Sequence, residues 1–133
     1  MGILPRIIVL VLGLSGLAMC SASVGPDTTL QDWNCSILIS KPGESNYANS
    51  VEYVLDDMAT VTASCPGYDY HTWAPYPTFV AYSHSTCNPA LTVNDCITCA
   101  TTAKTFLKMK CLYSLAAEMY LKDCSMSYSR HPM

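Results

Sequence analysis

The sequence predicts an α+β domain of two helices and about five short strands, held together in an oxidising compartment. Three observations lead there. Two stretches repeat their apolar residues at helical spacing, five short runs around them have the composition of strands, and eight cysteines occur in a chain with an apolar leader.

The leader, residues 1–22, reads as a secretory signal peptide. Arg6 supplies a positive start, Ile7–Leu17 is a largely apolar run of eleven residues, and the small residues Gly16, Ala18, Ser21 and Ala22 follow. The run falls short of the roughly 20 residues that span a bilayer. Cleavage after Ala18 keeps Cys20, whereas cleavage after Cys20 or Ala22 removes it. Residues 23–133 then form one secreted, extracellular domain, with no second hydrophobic segment and so no membrane partner. Without Arg6, six basic residues face ten acidic ones, a net charge of −4. That balance excludes nucleic acid, which calls for a basic patch, and cationic membrane disruption.

Val24 to Asp32 reads as a loose lead, and Asn34 to Ser40 has the β-branched content of an edge strand that Pro42-Gly43 breaks. Ser45 can cap the first helix. Tyr47, Val51, Val54, Leu55, Met58 and Val61 form its apolar face, and Pro66-Gly67 ends it. The aromatic stretch after Gly67 predicts strands at Tyr68–Thr72 and Thr78–Ser83. Its Tyr70, Trp73, Tyr76 and Tyr82 read chiefly as packing between sheet and helices, with a sugar-stacking surface as the alternative. Thr92 followed by Asp95 resembles a capping box. Behind it, Cys96, Cys99, Ala100, Ala103 and Leu107 share one face of the second helix. Ala116–Leu121 and Ser125–Ser129 complete the strands.

The cysteines of "TCNPALTVNDCITC", Thr86 to Cys99, admit three chemistries. An exported chain makes disulfides the default. Zinc through Cys87, Cys96, Cys99 and a histidine fits no familiar ligand spacing. A thioredoxin-like pair at Cys96 and Cys99 draws on the helix N-terminus, but a polar loop precedes it rather than a βαβ strand. One helical turn apart on the same face, the two thiols can staple their helix to two different places. Six cysteines allow 15 pairings, so the connectivity stays open at this point.

The spacing C-x8-C-x2-C, together with "GYDY" at Gly67–Tyr70, "STC" at Ser85–Cys87, "NDC" at Asn94–Cys96 and "KDC" at Lys122–Cys124, resembles a plant family. It is the Gnk2-homologous, or salt-stress-response/antifungal (DUF26), family, in its single-domain secreted type resembling ginkbilobin-2. The resemblance covers nearly all of residues 23–133 and implies two helices packed on a five-stranded antiparallel sheet, stapled by Cys35–Cys111, Cys87–Cys96 and Cys99–Cys124. It leaves Cys65 unmatched, read as a buried free thiol, with an intermolecular bond or a bond to Cys20 as alternatives.

Single-domain members of that family bind mannose and act against fungi, through an Asn after the first cysteine, an Arg seven after the fifth and a Glu five after the sixth. Here those positions hold Ser36, Glu118 and Ser129, and none matches. Ser36 also completes a glycosylation sequon at Asn34, unless early oxidation of Cys35 shuts out the transferase.

Two function classes follow from the resemblance. One is a carbohydrate-binding defence (antifungal) protein of the plant apoplast, with a cell-wall glycan as partner and an altered sugar triad. The other is an extracellular protein-interaction or signalling module without sugar binding. His71, His84 and His131 read as spread through strand, loop and tail, no His–carboxylate pair has helical metal spacing, and no G-x-S-x-G occurs. The sequence therefore predicts no enzyme and assigns no catalytic, cofactor or metal site.

Overall fold

The computed structural model describes residues 25–38, 45–74, 80–111 and 114–133. The leader, the Pro42-Gly43 break, Tyr76, Phe79 and Cys20 lie outside the described residues. The elements run β1 (Leu30–Cys35), α1 (Ser45–Val61), two 3₁₀ turns (Thr62–Ser64 and Pro66–Tyr68), β2 (Asp69–Trp73), β3 (Tyr82–Cys87), α2 (Val93–Lys110), β4 (Ala117–Leu121) and β5 (Cys124–Ser129). The strands form one five-stranded sheet in the order β1-β4-β5-β3-β2, antiparallel throughout. Both helices pack on one face of it, as the α+β expectation required.

Helix α2 forms where its sequence signals lie. The Thr92 hydroxyl accepts the Asp95 N–H at 3.1 Å, which satisfies one of the orphan donors of the first turn. Its buried residues are Cys96, Cys99, Ala100, Ala103 and Leu107, the stripe that the periodicity picked out. Helix α1 buries Tyr47, Val54, Leu55 and Met58 against that stripe and the sheet. The sheet answers with Ala117, Met119 and Leu121 from β4 and Met126 and Tyr128 from β5. Lys104 and Lys108 reach Asp56 and Glu52 across the two helices at 2.7 and 2.9 Å, exposed pairs of small energetic weight.

Three disulfides join Cys35 to Cys111, Cys87 to Cys96 and Cys99 to Cys124, the pairs that the resemblance implies. Each has one end on α2 or at its C-cap residue, Cys111. The helix is thus tied to the ends of β1 and β3 and to the start of β5. Cys65 is free, but it is half-buried rather than buried, and its thiol faces the Val61 carbonyl at the end of α1.

Four expectations shift. The first strand covers Leu30–Cys35 and stops short of 36–38, which the expected Asn34–Ser40 included; Ile39 and Ser40 lie outside the described residues. Ile37 and Leu38 are 95% and 65% exposed, so their apolar side chains have no core to join. Part of the "loose lead" is therefore β1, whose backbone bonds to β4 outweigh its polar composition. Of the strand expected at Thr78–Ser83, Thr78 and Phe79 lie outside the described residues, and the described strand runs Tyr82–Cys87, where alternation buries Ser83, Ser85 and Cys87. Trp73 does not pack against the helices and is 57% exposed on the other face. His84 sits inside β3, not in a loop. Between α1 and β2, Gly67 takes φ +67, which only glycine adopts freely. Tyr68 follows at φ +53, anchored by its hydroxyl donating to the Leu91 carbonyl at 3.0 Å.

Candidate functional site

Both helices cover one face, and among the described residues no helix or strand packs over the other. Strand alternation decides which side chains it carries. From β4 come Glu118 and Tyr120, from β5 Ser125, Ser127 and Ser129, from β3 Tyr82, His84 and Thr86, and from β2 Asp69, His71 and Trp73. The face is thus rich in hydroxyls, with a few carboxylates, imidazoles and large aromatic rings.

At the β1–β4–β5 end a hollow of about 470 Å³ opens, lined by Asn34, Ser36, Glu118, Tyr120, Ser127 and Ser129, among others. The three positions singled out in the sequence, Ser36, Glu118 and Ser129, are brought together here although they come from three segments. Asn34, the sequon asparagine, is exposed and lies directly opposite Glu118 in the β1–β4 register. Ser36 is held by its N–H to the Ala116 carbonyl at 2.9 Å, and its hydroxyl accepts the Leu38 N–H at 3.1 Å. The Ser129 hydroxyl accepts the His131 N–H at 3.1 Å.

Chemically the hollow is an acceptor site. Glu118 contributes the only charged side chain among the described residues that line it. The Tyr120 hydroxyl donates to Glu118 Oε1 at 2.9 Å, and this bond, with some burial, raises the Tyr120 pKa. The nearest arginine in sequence, Arg130, turns away, its guanidinium 5.4 Å from the centre of the Tyr47 ring on the helix side. The hollow therefore offers one carboxylate, several hydroxyls and one amide to a neutral, hydroxyl-rich ligand.

On the helix side, a second cavity of about 130 Å³ lies between α1 and α2, walled by Tyr47, Val51, Leu55 and Leu107. Two tyrosines among its lining residues bond to backbone carbonyls. Tyr47 donates to the Leu115 carbonyl, and Tyr128 donates to the Ser114 carbonyl at 2.9 Å. Burial raises both phenols, Tyr128 to about 12.

On the β2–β3 side of the open face, sequence reading missed a juxtaposition. His71 and His84 are directly opposed in the β2–β3 register, their rings stacked with centroids 3.9 Å apart. Asp69, two residues before His71, lies beside both. Twelve residues lie between the histidines in sequence, so helical spacing could not reveal them, whereas pairing Tyr68–Thr72 with a correctly placed β3 would have.

The salt stress response/antifungal family model matches residues 34–131. Two solved structures share the fold. The tandem DUF26 ectodomain of the Arabidopsis thaliana cysteine-rich receptor-like protein PDLP8 superposes with a TM-score of 0.66 at 23% identity, over 78% of this chain and 46% of that one. The corresponding ectodomain of PDLP5 gives 0.69 at 21% identity, over 77% of this chain and 50% of that one. The chain thus spans about half the length of each. No curated protein matches the sequence. No described helix is long and apolar enough to cross a membrane.

Proposed function

The chain belongs to the salt stress response/antifungal family, and from that premise we propose that it is a secreted, non-enzymatic defence protein that binds carbohydrate through the open face of its sheet. It works with an altered hydrogen-bonding set and does not hold free mannose as intact family members do. The observation that carries this reading is the convergence of Ser36, Glu118 and Ser129 in one hollow. Sugar hydroxyls are held by a few placed polar groups, and charged partners give the stronger bonds. A carboxylate in place of an arginine removes the cation, and a hydroxyl in place of a carboxylate removes the second charge. Each lost charged partner costs about 1.5–3 kcal/mol, roughly tenfold or more in affinity. A glycan on Asn34 would stand at the rim of the same hollow and add to the loss. The preference then shifts to glycans whose donors meet Glu118.

A second reading, a protein-interaction module, is favoured by the breadth of the open face. Trp73, 57% exposed, stands on it outside the hollow, and Tyr120, 42% exposed, lines the hollow itself.

Calorimetric titration with mannose tests the first reading, using protein made with and without the Asn34 glycan, beside a glycan array. The wild type should give little or no mannose heat, the combined variant Ser36→Asn, Glu118→Arg, Ser129→Glu should gain it, and the array should show another glycan bound in a Glu118-dependent way. Mannose bound equally by both proteins would refute the placement of the site. A blank array would transfer the weight to the protein-interaction reading.

A further inference from the structure

We propose that Asp69, His71 and His84 form a binding site for a divalent transition metal, with zinc(II) as the simplest occupant, on the β2–β3 side of the sheet's open face. The proposal is independent of carbohydrate binding.

The placement follows from strand geometry. Residues two apart on a strand face the same way, so Asp69 and His71 share a face of β2. Antiparallel pairing sets His84 opposite His71, in a ladder of five pairs from Asp69↔Thr86 to Trp73↔Tyr82. The three side chains therefore project from a rigid two-stranded platform toward one point. His84 Nε2 lies 2.6 Å and His71 Nε2 3.7 Å from the same carboxylate oxygen, Asp69 Oδ1. One ligand atom from each of the three residues falls within 4.8 Å of the others. Zinc bonds of about 2.0–2.1 Å at tetrahedral angles require donor atoms about 3.4 Å apart. The closest pair must open and the wider ones close, movements that exposed rotamers permit. The side chains of Asp69 and His71 are more than half exposed, and that of His84 is 34% exposed.

The donor set selects the metal class. Two imidazole nitrogens and one carboxylate oxygen suit zinc(II) or copper(II), whereas calcium and magnesium favour all-oxygen shells. Three protein ligands leave further positions to water, the pattern of an open site. At 2.6 Å from a carboxylate, His84 Nε2 carries the ring hydrogen and donates it to Asp69. When the metal takes Nε2, that hydrogen moves through solvent to Nδ1, and the imidazole stays neutral. Among the described residues, Asp69 pairs with these two histidines and with no lysine or arginine, so no fixed cation competes for its carboxylate.

The test uses the disulfide-bonded, tag-free chain after removal of metals with a chelator. Titration with zinc chloride should show one saturable site per chain. His71→Ala, His84→Ala and Asp69→Asn should each weaken it roughly tenfold or more, with the far-UV spectrum unchanged. Cys65→Ser and His131→Ala, which change the free thiol among the described residues and the tail imidazole, should leave it intact. In NMR spectra the ring resonances of His71 and His84 should shift together as zinc is added. Absence of a saturable site, or a site that survives His84→Ala and is lost with Cys65→Ser or His131→Ala, would overturn the proposal.

Discussion

Removing the three disulfides one at a time should destabilise the domain in the order of the loops they close. Each bridge restricts the unfolded chain, and the restriction grows with the logarithm of loop length. The separations are 76 residues for Cys35–Cys111, 25 for Cys99–Cys124 and 9 for Cys87–Cys96. Loop-closure entropy at 25 °C converts these to about 4.5, 3.5 and 2.6 kcal/mol. Five of the six cysteines are buried and Cys35 is half-buried, so replacing a pair with alanine also removes packed sulfur. That loss is similar across the pairs and largely cancels in the differences. The longest and shortest loops should then differ by about 1.9 kcal/mol, roughly 25-fold in the unfolding constant. Guanidinium denaturation of the three double-alanine variants, followed by far-UV circular dichroism, measures this directly. Against a total stability of about 5–15 kcal/mol, the Cys35–Cys111 variant stands closest to unfolding. If loss of Cys87–Cys96 proved as costly as loss of Cys35–Cys111, native-state packing around α2 would govern the effect and the loop reasoning would fail.

Three further outcomes are expected. Thr92→Ala deletes the hydroxyl that caps α2 and should cost about 0.5–2 kcal/mol in denaturant unfolding, while Thr92→Ser should restore most of it. Burial raises the Tyr128 phenol from 10.0 to about 12, so its contribution to stability is complete below pH 10 and is lost as pH rises through about 12; the urea midpoint should fall across that window, less steeply in Tyr128→Phe. Treating the protein from a plant or yeast host with an amidase that removes N-glycans should lower its mass if Asn34 is modified, and an unchanged mass would show that the site is unoccupied.

How far the sequence could be read depended on what held each element in place. Helix α2 was legible because its cap and its apolar stripe are both local, and five residues from Cys96 to Leu107 repeat one period. Strand β1 was not. The eye follows Ile37 and Leu38, which are exposed, while the true strand carries Gln31, Asp32 and Asn34 and is defined by pairing with β4, more than eighty residues away. Strand β3 was misplaced for a related reason. Its inward residues include Ser83 and Ser85, buried polar groups satisfied by the Thr72 carbonyl and by Thr62, and no propensity scale marks such residues as core. The convergence of Ser36, Glu118 and Ser129 could be anticipated only through family resemblance, since they lie on three separate segments. The Asp69–His71–His84 grouping depends wholly on β2–β3 register, and an error in the bounds of β3 was enough to hide it.

The one-sided covering of the sheet divides the protein's tolerance to mutation. Helices, disulfides and apolar core all lie on or behind one face, so a change on the other face removes little of what keeps the chain folded. Surface replacements of that kind usually alter stability by no more than about 0.5 kcal/mol, whereas changes to the buried residues between them cost several times as much. Along β3, β4 and β5 a saturation-mutagenesis map should therefore alternate residue by residue: Ser127 and Ser129 permissive, Met126 and Tyr128 restrictive. Such a surface can trade one ligand for another by single substitutions, each of which still leaves a folded protein.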